Sequence, residues 1–487
     1  MKYSIILLCS CLFMISCSDI LIEKPKAIAE ENFYKTPQEV QTAVNGIFSP
    51  LKDYNCFGFL YPAQLVCYSD FAAGRGSYEP VSQFQGLDNT NIGRIQLIWS
   101  NFYKAIRNSN NVILNLTDNK NLSDADRNKY LAEARFMRAF VYFDIVKNWG
   151  RAVLRTEANM MDEEVPLSSS DDVYKLIEDD LTFAAGNLPA KADNPGYPTS
   201  GAAKTVLADV HFYQGQYQEA LDLATDVKNS GEYSLVKIQS YQDFEQKLYG
   251  ADLVTSPEEI FYLKYSRASG DVGWSYVSFL HSAASGYYNS SSLWAIYIDT
   301  TVYNVYSNWD GRDIRKQLWY GFLGDFGLGP NKLLSRKFID PETIESGTQG
   351  GNDYPFYRYA DLLLLFAESD CRVNGVTAEA LEALNQVRRR GYGRDPSVSS
   401  DIDYKMSDFS SGEAFTDSVI KERGYEDFIE GGKRWFDLKR LGKQECSEII
   451  KEHTGKVIAD KHFLWPFPPD ELNINKGIKN SDQNPGY

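Results

Sequence analysis

The chain has 487 residues, a formal net charge of −16 at pH 7 and a pI near 4.9. The acidic balance argues against a nucleic-acid-binding protein, which needs a basic surface. Hydrophobic residues make up 43% of the chain and charged residues 24%, which is ordinary for a globular protein. The length allows one large hydrophobic core or two smaller ones.

Residues 1–16 have the pattern of a secretory signal peptide. Lys2 supplies a positive charge, and an apolar run of about a dozen residues follows it. The run is too short to cross a bilayer, which takes ~20 apolar residues. Residues 14–17, Met-Ile-Ser-Cys, resemble a bacterial lipobox, whose cysteine carries lipid in the mature protein. We therefore expect an exported protein with a lipid anchor on Cys17; the alternative is an ordinary signal peptide with an incidental cysteine.

Four cysteines remain beyond the lipobox, and they are widely spaced: Cys56, Cys67, Cys371 and Cys446. None belongs to a C-x-x-C motif, so the pattern is neither that of a zinc site nor that of a disulfide-rich scaffold. An exported protein permits a Cys56–Cys67 disulfide. We expect buried free thiols, and the sequence leaves the pairing open.

Helical periodicity dominates the N-terminal part of the chain. Apolar residues recur at helical spacing over Ile95–Leu116. Ser123 is a candidate N-cap for the next helix, which closes near Gly150. That second helix is apolar on more than one face, which predicts that it packs between neighbours.

Two helix pairs follow. Ser200 is the expected cap of a helix that runs to Tyr213, and Tyr217–Lys228 runs back, in a pattern that resembles a tetratricopeptide helix pair. The second pair comprises Tyr357–Val373, which contains a strongly apolar stretch, and a helix capped by Thr377.

Residues from about 236 to 355 differ, because Gly, Ser, Asn, Tyr and Trp dominate and helical periodicity fades. We predict a single domain over 17–487, with a helical scaffold over about 30–235 and 355–487 and a loop-rich insertion over about 236–355. No linker separates independently mobile parts. Loops carried on a rigid scaffold are where binding residues concentrate.

Catalytic motifs are scarce. The chain has four histidines, none in an H-E-x-x-H motif, and it has no G-x-S-x-G motif and no Walker loop. Acidic pairs are frequent, but sequence alone cannot place two carboxylates across a sugar at the ~5–9 Å that a glycosidase needs. We therefore expect a protein that is not an enzyme, with no cofactor and no metal.

Aromatic residues interleaved with polar residues in loops are a stronger signal. Sugar rings stack their C–H faces on Trp and Tyr, while Asp, Asn and Arg bind the hydroxyls. The alternative for any one ring is that it packs a loop onto the helices. The candidate ligand-binding residues are Tyr68, Asp70, Arg75, Tyr78, Asp271, Trp274, Tyr276, Tyr287, Tyr288, Asn289, Trp294, Trp309 and Arg312.

Motifs along almost the whole chain resemble those of the SusD/RagB family, the outer-membrane lipoproteins of the Bacteroidetes. They include Cys17–Asp19, Trp99-x-x-x-Tyr103 and Glu133–Arg138 in the N-terminal half. In the C-terminal third they are Arg358–Glu368, Ala383–Arg388, Ile420–Arg423, Phe428–Gly431, Arg434–Arg440, Leu464–Pro469 and Gln483–Tyr487.

The resemblance implies an all-α, tetratricopeptide-like superhelix with a loop-rich binding region and few short strands. It also implies a surface-exposed position on the outer membrane, held by lipid alone, and a SusC-like TonB-dependent transporter as partner. The family's ligand residues lie in variable loops, so no binding residue carries over from the motifs.

The charged residues of these motifs have a structural interpretation. Glu422, Arg423, Glu426, Glu430 and Arg434 fall at helical spacings, so we expect charge-assisted pairs that fix the C-terminal helices. We expect Trp435 and Phe436 in the core.

The function that follows is capture of an oligosaccharide or polysaccharide at the cell surface for delivery to the transporter. Three alternatives stay open: uptake of peptides by the same fold, a surface glycosidase, and a scaffold lipoprotein that binds only its transporter. The glycan itself is not specified by the sequence.

Overall fold

Helices make up most of the structure, a computed structural model that describes residues 33–268, 271–281, 296–321, 329–343 and 349–487. The α-helices are α1 Pro37–Lys52, α2 Leu60–Val66, α3 Glu79–Ser82, α4 Asn89–Leu116, α5 Asp124–Trp149, α6 Ser170–Asn187, α7 Ser200–Tyr213, α8 Tyr217–Asn229, α9 Tyr241–Asp243, α10 Val277–Leu280, α11 Asn304–Ser307, α12 Tyr359–Asn374, α13 Ala378–Gly391, α14 Gly412–Asp427, α15 Lys433–Arg440, α16 Lys443–Thr454 and α17 Pro469–Ile474.

Short strands complete the list of elements. They are β1 Ala73–Gly74, β2 Ala152–Val153, β3 Leu167–Ser168, β4 Glu259–Leu263, β5 Ile296–Asp299, β6 Trp319–Gly321, β7 Lys332–Ser335 and β8 Tyr354–Arg358. Single turns of 3-10 helix occupy Gly76–Tyr78, Ile314–Leu318, Met406–Asp408, Asp460–Phe463 and Asn480–Asp482, and Phe244–Leu248 is a π-helical turn.

The long helices pack against one another in chain order. Helix α1 contacts α4, α4 contacts α5, and the series continues through α6, α7 and α8. Helix α12 then packs on α8 and is itself covered by α13 and α14. This is the all-α, tetratricopeptide-like architecture that the sequence predicts.

The predicted helix boundaries are confirmed at most capped ends. The Ser123 hydroxyl accepts a hydrogen bond from the Asp126 amide at 3.1 Å, and the Thr377 hydroxyl caps α13 in the same way. Helix α5 ends at Gly150, which has a φ of 75°. The cap of α7 is Thr199 and not Ser200, because the Thr199 hydroxyl accepts from the Ala202 amide at 3.0 Å.

One predicted helix start is wrong. Tyr357 belongs to β8, which pairs antiparallel with β4, and helix α12 begins two residues later, at Tyr359. The apolar and aromatic residues of β8 do not reveal the change from strand to helix, because a short apolar run fits either element. The apolar stretch itself lies in α12 and is buried, as expected.

Most strands lie between residues 259 and 358, the part of the chain where helical periodicity fades. Strands β1, β5, β7 and β6 form a four-stranded antiparallel sheet in that order. Strand β1 comes from the segment between α2 and α4, so the sheet joins two distant loop regions of the chain.

The core is continuous through the scaffold. Helix α5 is buried along almost its whole length from Tyr130 to Trp149, which confirms that it packs between neighbours. Trp435 is in the core and Phe436 is partly buried against it. All four cysteines of the described chain are buried and free, including Cys56 and Cys67. Within the same described ranges, no helix is long and apolar enough to span a membrane.

A group of buried charged side chains joins the C-terminal helices to the rest of the molecule. We call it the Glu426 cluster. Its members are Glu258, Arg315, Lys337, Arg358, Arg390, Glu426 and Glu430, each at most 1% exposed. Glu426 accepts hydrogen bonds from Arg358 at 2.6 Å, from Arg390 at 2.5 Å and from Arg315 at 3.1 Å. Three guanidinium groups therefore converge on one buried carboxylate.

The cluster confirms that the charges of the C-terminal motif form internal pairs, but the partners come from other elements. Arg358 ends β8 and also donates to Glu430 at 3.0 Å, while Arg315 lies in the turn before β6. A glycine makes room for this arrangement, since a Cβ on Gly391 would lie 2.3 Å from the Arg315 guanidinium carbon. Helical spacing alone does not predict such long-range partners.

Candidate functional site: an aromatic and cationic surface

The loop between α1 and α4 carries an exposed aromatic ring on a rigid base. Tyr54 is 48% exposed, and its ring stacks on Phe59 at a centroid distance of 4.7 Å. Phe59 in turn contacts Phe279 and Tyr78, which are buried. The covered rings hold Phe59 in place, so the face of Tyr54 is presented to solvent on a fixed support.

Arg94 holds the neighbouring turn. Its guanidinium lies over the Tyr78 ring at 3.8 Å, and it donates to the hydroxyl of Ser77 at 2.5 Å and to the side-chain oxygen of Asn91 at 2.9 Å. The turn is tight, since a Cβ on Gly74 would lie 2.5 Å from the Cβ of Tyr78. Arg94 is therefore fixed in orientation while its edge stays partly exposed.

The four-stranded sheet contributes a second ring. In β5 the residues alternate, with Ile296 and Ile298 buried and Tyr297 half-buried, because side chains of a strand point to opposite faces. Tyr297 pairs with Ala73 of β1, two residues before the exposed Arg75. The ammonium group of Lys332, on β7, lies 5.3 Å from the centre of the Tyr297 ring.

These residues form one region, which we call the Tyr54–Tyr297 surface: Tyr54, Arg75, Arg94, Tyr297 and Lys332. The contacts that connect them are the pairing of Tyr297 with Ala73, the packing of Gly74 against Tyr78 and the position of Arg94 over the Tyr78 ring. Burial raises the pKa of Tyr78 and of Tyr54, and the Arg94 charge opposes both rises. Burial raises the pKa of Tyr297, and the Arg75 charge opposes that rise. Ring faces beside guanidinium and ammonium groups suit a ligand with both C–H faces and polar substituents.

One sequence-predicted residue, Arg75, belongs to this region and is exposed. Tyr78 is internal, since it is 2% exposed and one face of its ring is covered by Arg94, so it supports the region and offers no free ring face. Asp271 is exposed nearby and forms an ion pair of 3.6 Å with Lys52, two residues before Tyr54. Four further candidates lie outside the described residues and stay predictions: Tyr287, Tyr288, Asn289 and Trp294.

Three predicted ring residues are instead internal. Trp274 and Tyr276 have no exposed surface, and Trp309 is 2% exposed. Trp274 donates its indole N–H to the Phe57 carbonyl at 3.0 Å, and the Tyr276 hydroxyl donates to the Ile429 carbonyl at 3.1 Å. Their burial contradicts a stacking role, because every ring face is already covered by protein.

Trp309 is held inside the protein by two contacts. Its ring stacks on Tyr425 at 4.3 Å, and its N–H donates to Asp313 at 2.9 Å. Arg312 is exposed but is held by Asp310, with the shortest contact at 2.7 Å. Nothing places that pair beside the Tyr54–Tyr297 surface.

Tyr68 and Asp70 are also internal. Tyr68 is 2% exposed and stacks on Trp435 at 5.1 Å. Asp70 is fully buried and accepts two hydrogen bonds from Arg434, at 2.8 and 2.7 Å, and one contact of 2.6 Å from His453. Its carboxylate joins the loop before β1 to helix α15, so the predicted contact with a ligand is wrong.

Four residues of this surface were not among the candidates predicted from the sequence: Tyr54, Arg94, Tyr297 and Lys332. A signal existed for two of them: Tyr54 opens an aromatic-rich loop segment, and Tyr297 is the outward position of an alternating Ile-Tyr-Ile run. Arg94 and Lys332 carry no such signal, since their importance depends on which rings the fold brings beside them.

A second region, a cavity of about 100 Å³ that is partly open to solvent, lies between α5, α7, β8 and α15. Its charged lining is largely paired internally: Asp144 with Lys147 at 2.9 Å, and Asp361 with Lys433 at 2.7 Å. Aromatic side chains line it as well, and two of them, Tyr213 and Phe436, are partly buried. The described part of the chain groups no three or more His, Cys, Asp or Glu side chains in a way that suits a metal ion.

Comparison with known proteins places this chain in a family. A model described as "SusD family" matches residues 329–487, and one described as "Starch-binding associating with outer membrane" matches residues 67–212. Together the two matches cover more than half of the chain. The chain is a member of the SusD/RagB-like family.

Two SusD-like relatives match nearly the full length. SusD-like protein P2 of Formosa agariphila is 25% identical over all of both chains. SusD-like protein P38 of the same organism is 26% identical over 93% of this chain and 92% of its own length. The family is associated with the outer membrane, as the second family model states.

Solved SusD-like structures share the fold. A SusD homologue from Bacteroides thetaiotaomicron superposes with a TM-score of 0.76 at 21% identity, covering 94% of this chain and 98% of its own. A laminarin-binding SusD-like protein superposes with a TM-score of 0.72 at 22% identity, over 93% of this chain and all of its own. Surface glycan-binding protein A from Bacteroides fluxus gives 0.74 at 20% identity, over 93% and 100%.

Proposed function

We propose that this SusD-like protein captures a glycan at the cell surface, without catalysis, and delivers it to a SusC-like TonB-dependent transporter. The lipid on Cys17 anchors it to the outer membrane. The observation that carries the proposal is the exposed Tyr54 ring, stacked on Phe59 at 4.7 Å and flanked by Arg94. An exposed, rigidly supported ring beside fixed hydrogen-bond donors is suited to a sugar face and its hydroxyls.

Family membership supports the same conclusion. Two fold relatives are named for glycan binding, one as laminarin-binding and one as a surface glycan-binding protein. The domain organisation we propose is a signal peptide over 1–16 and one domain over 17–487, whose loop-rich part, at about 236–355, supplies β5 and β7 to the surface.

Replacement of Tyr54 and Tyr297 by alanine tests the proposal. Each ring contributes about 0.5–1.5 kcal/mol if aromatic-pair energies apply, so each single variant is expected to bind about 2- to 12-fold more weakly. Affinity is measured by calorimetry and affinity gels against plant, host and microbial polysaccharides and a peptide panel. Tyr197→Ala is the matched control, since Tyr197 is a half-buried tyrosine of the helical scaffold.

Three outcomes would contradict the proposal. Binding to peptides and to no polysaccharide would favour peptide uptake, and release of shorter sugars from a bound polysaccharide would identify an enzyme. Equal loss of affinity in Tyr197→Ala and Tyr54→Ala would show that the effect is general destabilisation and not loss of a binding ring.

A further inference from the structure

Most charges on the walls of the cavity between α5 and α15 pair with a neighbour, but two charged residues of its lining are left without full pairing. They are Arg423 and Asp427, which lie one turn apart on α14. Residues four apart on a helix share a face, and their Cβ atoms lie about 5–6 Å apart. Within the described structure the two side chains nevertheless form no ion pair with each other.

The Arg423 guanidinium makes no hydrogen bond to a side chain or carbonyl of the described residues. The carboxylates nearest to it are Glu368 at 3.8 Å and Asp437 at 3.7 Å. Both are already held by Arg440, which donates to Glu368 at 2.7 Å and to Asp437 at 3.0 Å. The side chain of Arg423 is only 12% exposed, so its charge is largely withdrawn from water without a close partner. A guanidinium in this position suits a carboxylate, which it binds through its fork of N–H groups.

Asp427 has one carboxyl oxygen engaged and one without a partner. Its Oδ1 accepts from Arg358 at 2.9 Å, while Oδ2 accepts no hydrogen bond from a described residue. The side chain is 6% exposed, so this second oxygen belongs to a buried group on the cavity wall. Burial and the charge of Asp361 raise the pKa of Asp427. A buried carboxyl that is short of positive charge favours a cationic neighbour.

The size and walls of the cavity fit a compact ligand. Its volume is about 100 Å³, and one water molecule needs only about 10–15 Å³, so a molecule of several atoms has room. Tyr354 and Phe356 of β8 and Phe436 of α15 supply ring surfaces among the charges. Rings of this kind pack against apolar groups and attract cations to their faces. The partial opening to solvent gives a ligand a way in.

We infer that this cavity binds a small zwitterion of α-amino acid size, with its carboxylate on Arg423 and its ammonium group on Asp427. The guanidinium donates to the ligand carboxylate, and Oδ2 of Asp427 accepts from the ligand ammonium group. An α-amino acid carries both charges on one carbon, so a single small molecule reaches two side chains one helical turn apart. This site goes beyond glycan capture, because the Tyr54–Tyr297 surface supplies no residue to the cavity lining.

The test compares amino acids with derivatives that lack one charge. The full-length lipoprotein, in detergent, is titrated by calorimetry with each of the common L-amino acids and with glucose as an uncharged control. The amino acid that binds most tightly is then compared with its amide, which lacks the carboxylate, and with its N-acetyl form, which lacks the ammonium group. We expect a Kd of about 1 mM or tighter for at least one amino acid. Each derivative should bind about tenfold or more weakly, because one buried charge then stays without its partner.

Two variants assign the binding to the cavity. Arg423→Gln and Asp427→Asn are each expected to weaken amino acid binding about tenfold or more. Arg423→Gln should fold, because Arg440 still holds both carboxylates that Arg423 approaches. Asp427→Asn keeps the shape of the side chain and an oxygen that accepts from Arg358.

Arg372→Gln is the charge-matched control. Arg372 lies 3.4 Å from Glu368, the same carboxylate that Arg423 approaches, but it is not part of the cavity lining. It should leave amino acid affinity within about twofold of wild type. Urea denaturation of the three variants shows that each is folded under the conditions of the titration.

Four results would overturn the inference. The first is absence of binding by any amino acid at concentrations up to about 10 mM, ten times the expected upper limit of Kd. The second is binding that is insensitive to both Arg423→Gln and Asp427→Asn, since the ligand would then lie elsewhere. The third is equal affinity for the amino acid and its amide or N-acetyl form, and the fourth is equal affinity for glucose. Polysaccharide binding by the same preparations tests glycan capture separately.

Discussion

Replacing Glu426 by Gln is expected to lower the free energy of unfolding by about 3–5 kcal/mol, the usual effect of removing one partner from a buried ion pair. Glu426 is 1% exposed and accepts from Arg315, Arg358 and Arg390. The glutamine keeps the shape of the side chain but leaves these guanidinium groups short of one negative charge in a buried site. Urea denaturation followed by tryptophan fluorescence measures the change.

A surface pair supplies the comparison. Asp226 pairs with Lys204 at 3.1 Å, and its side chain is 62% exposed. Asp226→Asn is expected to change stability by about 0–1 kcal/mol. If Glu426→Gln is no more destabilising than Asp226→Asn, the Glu426 cluster does not hold the C-terminal helices to β8 and the turn before β6.

Replacing Asp70 by Asn is also expected to have a large effect. We expect it to lower the free energy of unfolding by about 3–5 kcal/mol at neutral pH. The substitution removes the carboxylate that pairs with the Arg434 guanidinium at 2.7 Å and leaves this buried group, 5% exposed, with Asp437 at 3.5 Å. Glycan affinity of the folded variant should stay within about twofold of wild type, because the Asp70 carboxylate is fully buried and is held by Arg434 and His453. Thermal unfolding and calorimetric binding measure the two quantities separately.

The pH dependence of this variant has a defined sign. Burial favours the neutral form of Asp70, but the Arg434 charge and the hydrogen bonds from Arg434 and His453 outweigh it and hold its pKa below the ordinary value. A depressed pKa stabilises the folded state above the pKa of an unfolded aspartate, about 3.9, and that contribution is lost as the pH falls further. The deficit of Asp70→Asn should therefore shrink below about pH 4. A loss of glycan affinity with no loss of stability would restore Asp70 as a ligand residue.

The helical scaffold was predictable because the sequence signals that define its helices are local. Apolar spacing and caps such as Ser123 and Thr377 depend on residues within a few positions of one another, and the structure confirms both caps. The error at α7 was a single position, since Thr199 and Ser200 are both good capping residues. The start of α12 was wrong because a strand runs directly into the helix.

The candidate site was less predictable because distant contacts decide which aromatic rings are buried. Trp274 is enclosed by a bridge to Gly350 and by the rings of Phe338 and Tyr354, all more than 60 residues further along the chain. Asp70 meets Arg434 across 364 positions. Composition correctly marks such segments as unusual, but it does not separate a ring that packs the loop from a ring that faces solvent.

The measurement that tests the central claim most directly is a crystal structure of the protein with a bound oligosaccharide, prepared from whichever polysaccharide it retains. We expect sugar faces against Tyr54 and Tyr297, with substituents within hydrogen-bond distance of Arg94. An oligosaccharide bound in the cavity between α5 and α15, with Tyr54 and Tyr297 free of any contact, would contradict the account.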